Sequence, residues 1–381
     1  MTRKPFHWIE IDRSALESNL AGFRRLIGAD RKLLAMVKAN AYGHGMLETA
    51  RIALEAGADW LGVHSLEEGA GLRAAGIQAP VLVMGYVPLA DLEEAVALDL
   101  RMTVCNAETI EGLARICRAD GPSARLHLKL ETGTHRQGVS PEQAAELARR
   151  IAGSPGLVLE GLSSHYANIE DTTDHSYARY QLDNFNVVLD GLAAEGLSAP
   201  LRHFSCSAAV LIFPETRFDM VRVGIGMYGL WPSRETYLSC LQKQCEPIEL
   251  RPVLTWKAGI SQIKHVPKGA MVGYGGTFRT GRPSRLAVVP VGYYDGYPRS
   301  LSNVSHVLVR GERAPLRGRV AMDFIVVDVT DIPGASLEDE VVLIGSSGEE
   351  SVTADMLAAW EGTIHYEVVA RLNPHIPRLV I

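Results

Sequence analysis

The chain has 381 residues, of which 47% are apolar and 22% are charged, and its formal net charge at pH 7 is −6. This composition is typical of a globular protein with a large core, so an intrinsically disordered chain is excluded. The acidic balance, without a basic block, argues against nucleic acid or an anionic membrane surface as a partner.

The cysteines and the N-terminal segment indicate the compartment. The five cysteines form no CxxC pair, which predicts reduced thiols and no zinc site. The first ten residues, MTRKPFHWIE, lack the apolar core of a secretory signal, and no apolar run is long enough to span a bilayer. We therefore expect a cytoplasmic protein, and the length favours two domains.

Short aliphatic runs alternate with helix-length segments over the first two-thirds of the chain. Segments such as Met46–Glu55 and Ala107–Arg118 have apolar residues at the three- and four-residue spacing of a helix. Eight such units predict a (β/α)8 TIM-type barrel, because a doubly wound sheet more often has five or six strands. The predicted strands are Lys32–Val37, Trp60–Val63, Val81–Met84, Arg101–Val104, Arg125–Leu130, Leu157–Ser163, Leu201–Ser205 and Met220–Val223.

The pattern changes after about Cys240, where short apolar runs follow one another closely and are separated by turns. This pattern predicts a mostly β domain, with a late helix over Ala354–Trp360. Phe6–Ile11 also has the pattern of a strand, and we expect it to pair with this domain. We predict an α/β fold with a barrel over 11–240 and a mainly β domain over 241–381. The strands predicted for the second domain are Val253–Ile260, Arg285–Val291, Val307–Val309, Ile325–Val329 and Glu340–Ile344.

Lys38 directly follows the first predicted barrel strand, in the segment MVKANAYGHG of residues 36–45. Partial burial at a strand end disfavours the ammonium and lowers the lysine pKa, so the amine could form a Schiff base with a carbonyl. The position also fits an ordinary lysine in a loop after a strand. Position alone favours this second interpretation.

Further polar residues lie near the C-terminal ends of the predicted strands, where the catalytic and binding side chains of such a barrel are located. Ser207 precedes an apolar helical run and is predicted as its N-cap; free N–H groups at such a helix start can bind phosphate, although a plain cap fits equally well. Lys129 lies within the fifth predicted strand. The other candidates are Arg136, His165, Arg222 and Gly224.

Five segments, read in order, resemble the alanine racemase family of fold-type III enzymes, which use pyridoxal 5′-phosphate (PLP). The resemblance covers nearly the whole chain. A chance match to one glycine- and tyrosine-containing segment would mean little, but five in order are specific. The segments are MVKANAYGHG at 36–45, VRVGIGMYGL at 221–230, VGYG at 272–275, GYYDG at 292–296 and GRVAMD at 318–323.

The resemblance implies that L-alanine and D-alanine are interconverted by two bases, and that D-alanine is made for peptidoglycan. Lys38 would bind PLP and act on one face of the substrate Cα. Tyr274 matches the tyrosine that acts on the opposite face from the partner subunit, which implies a homodimer. His165 matches the residue that contacts this tyrosine. Arg222 matches the residue that faces the PLP ring nitrogen, and an arginine cannot give that nitrogen a proton.

The remaining matches concern binding. Arg136 matches a residue near the PLP phenolic oxygen and the substrate carboxylate, and Lys129 matches a lysine that is carbamylated in many relatives. The Met322 backbone N–H is the expected partner of the substrate carboxylate. Tyr293, together with Tyr366, matches tyrosines that narrow the entrance. No metal site is implied, and the expected phosphate contacts are Tyr42, Ser207, Gly224, Ile225 and Tyr366.

Three positions depart from the usual family pattern: Cys206, Ala321 and Tyr294. They leave open a racemase of broader specificity, or one for serine or lysine. A decarboxylase of the same fold would usually offer the ring nitrogen an acidic residue, in place of Arg222. A PLP-binding protein that buffers the cofactor would have the barrel alone, which the long β domain and Tyr274 argue against.

Overall fold

The computed structural model describes residues 5–381. Contacts divide it into a barrel unit, residues 14–39 and 47–251, and a second unit, residues 5–13, 40–46 and 252–381. The predicted boundary lay at 240–241, whereas this division falls at 251–252. The difference arises because the segment after the last barrel helix stays on the barrel: the Arg251 N–H donates to Asn19 Oδ1 at 2.8 Å.

Eight parallel strands form the wall of the barrel unit, in the order β8-β7-β6-β5-β4-β3-β2-β9. Most of their residues are buried on both faces, as expected of parallel strands covered by helices. The prediction of a TIM-type barrel followed by a mostly β domain is confirmed. After β1 (His7–Ile11), the strands are β2 (Lys32–Met36), β3 (Trp60–Val63), β4 (Val81–Val83), β5 (Arg101–Val104), β6 (Ala124–Lys129), β7 (Leu157–Ser163), β8 (Leu201–His203) and β9 (Met220–Val223).

The two end strands, β8 and β9, meet at a short seam. β8 has only three residues, and the backbone bonds across the seam run from the Asp219 N–H to the Arg202 carbonyl and from the Arg222 N–H to the Ser205 carbonyl, each 3.1 Å long. The barrel is therefore nearly closed. Its seam lies beside the strand that carries Arg222.

Helices follow the strands, and several begin at side chains that cap them. Ser65, Asn106 and Ser140 each accept a backbone N–H from three residues on, which satisfies a donor that the helix leaves free. The helices are α1 (Arg13–Ile27), the turn α2 (Lys38–Tyr42), α3 (Met46–Glu55), α4 (Leu66–Ala74), α5 (Leu92–Ala97), α6 (Ala107–Ile116), α7 (Pro141–Ala152), α8 (Ser176–Ala194), α9 (Ser207–Ile212) and α10 (Arg234–Lys243).

The turn α2 is left-handed. Four consecutive residues that are not glycine, Ala39 to Tyr42, have φ between 52° and 55°. Each such residue costs roughly 1–2 kcal/mol relative to a right-handed helix, because its Cβ crowds the following carbonyl. The surrounding structure must offset this strain. Such strain is concentrated at functional sites in many proteins.

The second unit contains a large mixed sheet in the order β16-β15-β18-β10-β1-β20, with β19 paired to β18, and two small sheets, β11-β14-β17 and β12-β13. The predicted pairing of the N-terminal strand is confirmed, because β1 is antiparallel to β10. The elements of this unit are β10 (Leu254–Gly259), β11 (Gln262–Val266), β12 (Met271–Val272), β13 (Phe278–Arg279), β14 (Ser284–Val289), β15 (His306–Val309), β16 (Glu312–Pro315), β17 (Ile325–Asp328), β18 (Glu340–Ser347), β19 (Glu350–Val352), α11 (Ala354–Glu361), α12 (His365–Ala370) and β20 (Arg378–Val380). Within residues 5–381, none of the helices has the length and apolarity needed to cross a bilayer.

Candidate active site

Lys38 lies two residues beyond the end of β2, at the C-terminal edge of the barrel, and is half-buried. Burial lowers its pKa, the positive charges of Arg136 and Arg222 lower it further, and the Glu68 carboxylate opposes them. A lysine with a depressed pKa has a larger neutral fraction near pH 7, and only the neutral amine is a nucleophile or a base.

Glu68, which the sequence analysis did not identify, links this turn to α4. Its Oε1 accepts the Ala39 N–H at 2.6 Å, and its Oε2 accepts the His64 N–H at 2.7 Å. The carboxylate thus joins the turn after Lys38 to the chain segment after β3. Only the three-dimensional structure could reveal this link, because a glutamate in the first turn of a helix is common for electrostatic reasons alone.

Lys129 is the last residue of β6, and its side chain is only 5% exposed. Burial and the charges of Arg222 and Arg136 hold its pKa well below the usual lysine value. Together with Lys38, these side chains form a cluster of four cations at the C-terminal edge of the barrel. Such a cluster suits a ligand that carries several negative charges.

Arg222 is buried on β9, where burial lowers its pKa to about 10. Its two Nη atoms donate to protein acceptors: Nη1 to His203 Nδ1 and the His203 carbonyl, and Nη2 to the carbonyls of Ser164 and Phe204, at distances of 2.7 to 2.9 Å. Within residues 5–381 the Nε–H has no such acceptor. It is therefore the donor that remains for a ligand.

His165 follows β7 and lies near Arg222. Its Nδ1 is 3.4 Å from Arg222 Nη2. Both Nη2 hydrogens already point to carbonyl oxygens, so Nδ1 can only share one of them; because an arginine cannot accept, this contact favours a neutral ring with its proton on Nε2. Burial and the charges of Lys129, Arg222 and others hold the pKa of His165 well below its usual value. His165 is therefore neutral, with Nε2–H as its remaining donor.

Ser207 is not the N-cap of α9, as the sequence analysis predicted, but its first helical residue; the N-cap is Cys206. The prediction was wrong by one residue because the Ser207 Oγ has other partners. It accepts the N–H of Gly224 at 2.9 Å and that of Gly226 at 3.3 Å. The Ile225 N–H lies between these two and has no acceptor in the described part of the chain. The hydroxyl proton of Ser207 and this N–H are the donors available here.

Cys206 directly precedes Ser207, as the N-cap of α9. Its thiol donates to Glu170 Oε1 at 3.7 Å, and burial raises its pKa to about 12. Cys206, one of the three positions that depart from the usual family pattern, is therefore a neutral thiol, and its one donor is already used.

Tyr42, Tyr366 and Gly43 lie together in the second unit. The rings of the two tyrosines are 6.2 Å apart. Gly43 has a φ of +84°, and a Cβ at this position would lie 1.8 Å from the Val369 carbonyl oxygen. The end of the left-handed turn is thus packed against the helix that carries Tyr366. This contact positions two of the predicted phosphate ligands side by side.

Tyr293 and Met322 also lie together in the second unit. The N–H of Tyr293 donates to the Ala321 carbonyl and that of Tyr294 to the Met322 carbonyl, both at 3.0 Å. A Cβ on Gly292 would lie 2.2 Å from the Met322 oxygen, so only glycine permits this approach. Within residues 5–381 the Met322 N–H has no acceptor, so it is available to a carboxylate.

Tyr274 lies in the tight connection between β12 and β13, where Gly273 and Gly275 flank it with φ of +70° and +74°. Its side chain is 74% exposed. The left-handed glycines allow the chain to reverse around one aromatic residue. Tyr274 is thus presented to solvent from a fixed turn.

The side-chain chemistry of the barrel unit fits PLP. The four cations and the free N–H groups match the phosphate, the phenolic oxygen and a substrate carboxylate, while the Arg222 Nε–H matches an unprotonated ring nitrogen. Across residues 5–381, no group of three or more histidine, cysteine or acidic side chains is placed to bind a metal ion.

The chain matches known proteins over nearly its whole length. The family model for the alanine racemase N-terminal domain matches residues 11–232, and that for the C-terminal domain matches residues 253–380. The chain is 42% identical to alanine racemases of Halothermothrix orenii and Symbiobacterium thermophilum, over 97% of its own length and 96% of theirs.

Solved structures agree over the same length. Alanine racemase from Bacillus anthracis with bound L-Ala-P is similar with a TM-score of 0.92 and 34% identity, covering all of this chain and 96% of that one. Alanine racemase from Streptomyces lavendulae gives a TM-score of 0.91 at 36% identity, covering 100% of this chain and 98% of that one. The chain is therefore an enzyme, an isomerase acting on amino acids, and it belongs to the alanine racemase family.

Proposed function

We propose that the enzyme interconverts L-alanine and D-alanine with PLP, using Lys38 and the Tyr274 of the partner subunit as bases on opposite faces of the substrate Cα. The observation that carries the proposal is the environment of Lys38: a half-buried amine with a depressed pKa, beside Arg136 and Arg222 at the C-terminal edge of a barrel. When bound, PLP withdraws electrons from the Cα and makes its proton removable.

The residues of the chain divide the binding work. Lys38 holds the cofactor covalently, and Arg222 directs its Nε–H at the ring nitrogen. Tyr42, Tyr366, Ser207, Gly224 and Ile225 are the proposed phosphate contacts; of the last three, the Ser207 hydroxyl and the Ile225 N–H are the donors, because the Gly224 N–H is already donated to Ser207. Arg136 and the Met322 N–H bind the substrate carboxylate. Tyr293 limits the space for the substrate side chain.

Proton transfer on the second face needs a group that stabilises the phenolate of Tyr274. We propose that the His165 Nε2–H donates to that oxygen, since Nδ1 faces Arg222. The positive charge of Arg222 then acts through a neutral imidazole. The exposed position of Tyr274 supports its use by a second copy of the chain, because an exposed side chain is available to a partner. A homodimer with shared active sites follows from this proposal.

Lys129 is a proposed carbamylation site. Its depressed pKa provides the neutral amine that can attack carbon dioxide; an N–C bond forms and one proton leaves the nitrogen for solvent. The resulting carbamate is negative and would pair with Arg136. The carbon-13 signal of a carbamate, in protein exchanged into labelled bicarbonate and absent from Lys129→Met, would establish the modification.

The decisive experiment measures the turnover of L- and D-alanine by purified enzyme with PLP, with serine and lysine in parallel. We expect efficient alanine turnover in both directions. Tyr274→Phe should lower the rate by about 10²–10⁴-fold, as removal of an acid–base group does, and should abolish exchange of the α-proton with heavy water for one enantiomer only. Tyr180→Phe, an exposed tyrosine on α8, is the control. Unchanged exchange of both enantiomers in Tyr274→Phe would refute the two-base proposal.

A racemase with broader specificity is the alternative, and Cys206, Ala321 and Tyr294 are the residues that favour it, because they depart from the common family pattern. Faster turnover of serine or lysine than of alanine would establish it. The chain has five free cysteines, which agrees with the proposal of a cytoplasmic enzyme that supplies D-alanine for peptidoglycan.

A further inference from the structure

A chain of hydrogen bonds leads from Arg222 through the interior of the barrel to a carboxylate. Arg222 Nη1 is 2.7 Å from His203 Nδ1. His203 Nε2 is 2.8 Å from His127 Nδ1, and His127 Nε2 is 3.2 Å from Glu160 Oε2. Both imidazoles are fully buried. Four strands, β9, β8, β6 and β7, thus contribute one residue each to a continuous chain of hydrogen bonds.

The proton positions in this chain follow from its first member. Arg222 has donors only, so His203 Nδ1 must accept and carries no proton. A neutral His203 then has its proton on Nε2, which donates to His127 Nδ1. By the same logic His127 is protonated on Nε2 and donates to the Glu160 carboxylate. Every bond therefore points from the guanidinium to the carboxylate, and neither imidazole has room for a second proton.

A bulge in the backbone of β7 positions Glu160 beside His127, the last two residues of this hydrogen-bond chain. The register between β6 and β7 shifts at this point: Leu126 pairs with Leu159 but His127 pairs with Gly161. Glu160 is therefore the extra residue of a β-bulge, a feature that changes the direction of a side chain. The His127 ring lies over Gly161, where a Cβ would be 2.2 Å from Nδ1. A bulge and a glycine in succession make space for this arrangement.

Charged groups lie near both ends of this chain of hydrogen bonds. Arg101 Nε and Arg125 Nε lie 3.6 and 3.9 Å from the Glu160 carboxylate, and Asp99 pairs with both arginines. At the other end Lys129 adds a positive charge near His203. Burial and the charge of Arg222 lower the pKa of both histidines; Arg101 also lowers that of His127, which Glu160 opposes, and Lys129 also lowers that of His203. Neutral rings agree with the hydrogen-bond pattern.

We propose that Glu160, His127 and His203 are positioning residues that orient Arg222 through a one-way chain of hydrogen bonds and so leave its Nε–H directed at the ligand. The inference rests on the proposed function in taking Arg222 as the residue that faces the cofactor ring. Without the carboxylate, His127 has no fixed acceptor, and both rings are free to take the other tautomer. His203 would then present an N–H to a guanidinium that only donates, and Arg222 would have to rotate.

The first test uses nitrogen-15 NMR of the histidine rings in cofactor-free enzyme, with His127 and His203 assigned by single substitution. We expect both rings to be neutral and protonated on Nε2 throughout the neutral pH range. A proton on Nδ1 of either ring, or a charged ring, would overturn the one-way chain. This result does not depend on whether PLP or alanine is bound, so it is separable from the proposed function.

The second test compares Glu160→Leu, which removes the acceptor, with Glu160→Gln, which keeps an oxygen in nearly the same place. Arg125→Gln is the matched control, because it removes a facing charge without cutting the chain. We expect Glu160→Leu to lose the Nε2 tautomer signals and to bind PLP roughly tenfold more weakly or worse. Glu160→Gln should retain most of the affinity, and Arg125→Gln should equal the wild type.

A structural role alone would lower stability but leave the tautomers and the pH dependence of the bound-cofactor absorbance unchanged. Wild-type tautomers and affinity in Glu160→Leu would therefore refute the proposal. If Glu160→Leu fails to fold, Glu160→Gln decides the matter: tautomers and affinity that are both retained, or that change together, support the proposal, and a change in one without the other contradicts it. Failure of the wild type to bind PLP would refute the proposed function and leave the NMR result standing.

Discussion

The Glu68 carboxylate holds the Ala39 backbone N–H at 2.6 Å, directly after the residue that we assign as the cofactor lysine. The second oxygen of the same carboxylate accepts the His64 N–H. The position of Lys38 thus depends on a side chain from a different β-α unit. The barrel strand brings the lysine to the edge, and a helix fixes the turn that follows it.

We predict that Glu68→Ala lowers the free energy of unfolding by about 1–2 kcal/mol. Hydrogen bonds to a charged group contribute roughly 1.5–3 kcal/mol when buried, and these are partly exposed. Urea denaturation measures the change, and the turnover of alanine should fall with it. Glu67→Ala is the control, because that neighbouring carboxylate is exposed and does not reach the turn. Equal stability of the two variants would contradict the role of Glu68.

We predict opposite effects of glycine in the left-handed turn and in a right-handed helix. Ala39→Gly removes strain of about 1–2 kcal/mol and loses about 0.4–1 kcal/mol to the greater freedom of the unfolded chain, so it should be neutral or stabilising. Ala145→Gly in the right-handed α7 should destabilise by about 0.5–1 kcal/mol. Thermal unfolding of both variants checks the difference in sign. A larger loss of stability in Ala39→Gly would show that the turn is not left-handed in solution.

We predict that the stability of the unmodified protein rises with alkaline pH because of Lys129. Its pKa in the folded state lies well below 10.5, so between the two values the unfolded chain binds more protons than the folded one. The free energy of unfolding therefore increases with pH across that window and is lowest below the folded-state pKa. Lys129→Met should remove this increase and raise stability at neutral pH.

Lys264→Met, which changes an exposed lysine, is the control for the same measurement. Denaturation at a series of pH values, with carbon dioxide excluded, keeps the amine unmodified. A pH profile of Lys129→Met that equals the wild type would show that the pKa of the Lys129 amine is not depressed in the folded protein.

We predict that Gly292→Ala impairs both folding and catalysis. Its Cβ would lie 2.2 Å from the Met322 oxygen and 2.4 Å from the Ala321 oxygen, so the segment that carries the Met322 N–H must move. Overpacking of this kind typically costs about 1–3 kcal/mol, and KM for alanine should rise. Gly281→Ala meets no atom within 4 Å and should leave stability and KM nearly unchanged. Equal KM values in both variants would exclude the proposed carboxylate contact.

The barrel could be predicted from the sequence because its signal is local. Each strand is a short aliphatic run, and each is followed by apolar residues at helical spacing, as from Trp60–Val63 to α4. The second unit was predicted less completely. Strands such as β11 and β16 were missed because they are short, largely exposed and rich in polar residues, so their pairing partners determine them more than their own sequence does.

The candidate site likewise contains residues that the sequence indicates and residues that only the structure reveals. Lys38 and Arg222 could be found because each lies in a specific segment near a strand end. Glu68, His127 and Glu160 could not, because nothing in the sequence near them indicates a partner on another strand or helix. The N-cap prediction for Ser207 was wrong for a related reason. A serine before an apolar run has the pattern of an N-cap, but the Ser207 Oγ accepts the N–H groups of Gly224 and Gly226 across the seam instead.

Arg222 also has a mechanical role in the barrel. Its guanidinium donates to the carbonyls of Ser164, His203 and Phe204, which lie at or just after the ends of β7 and β8. The same side chain therefore links the ends of these strands and leaves its Nε–H for the ring nitrogen that we propose it contacts. An acidic side chain at this position would repel those same carbonyl oxygens. Replacing Arg222 by an acidic residue therefore requires a different backbone arrangement where these barrel strands end.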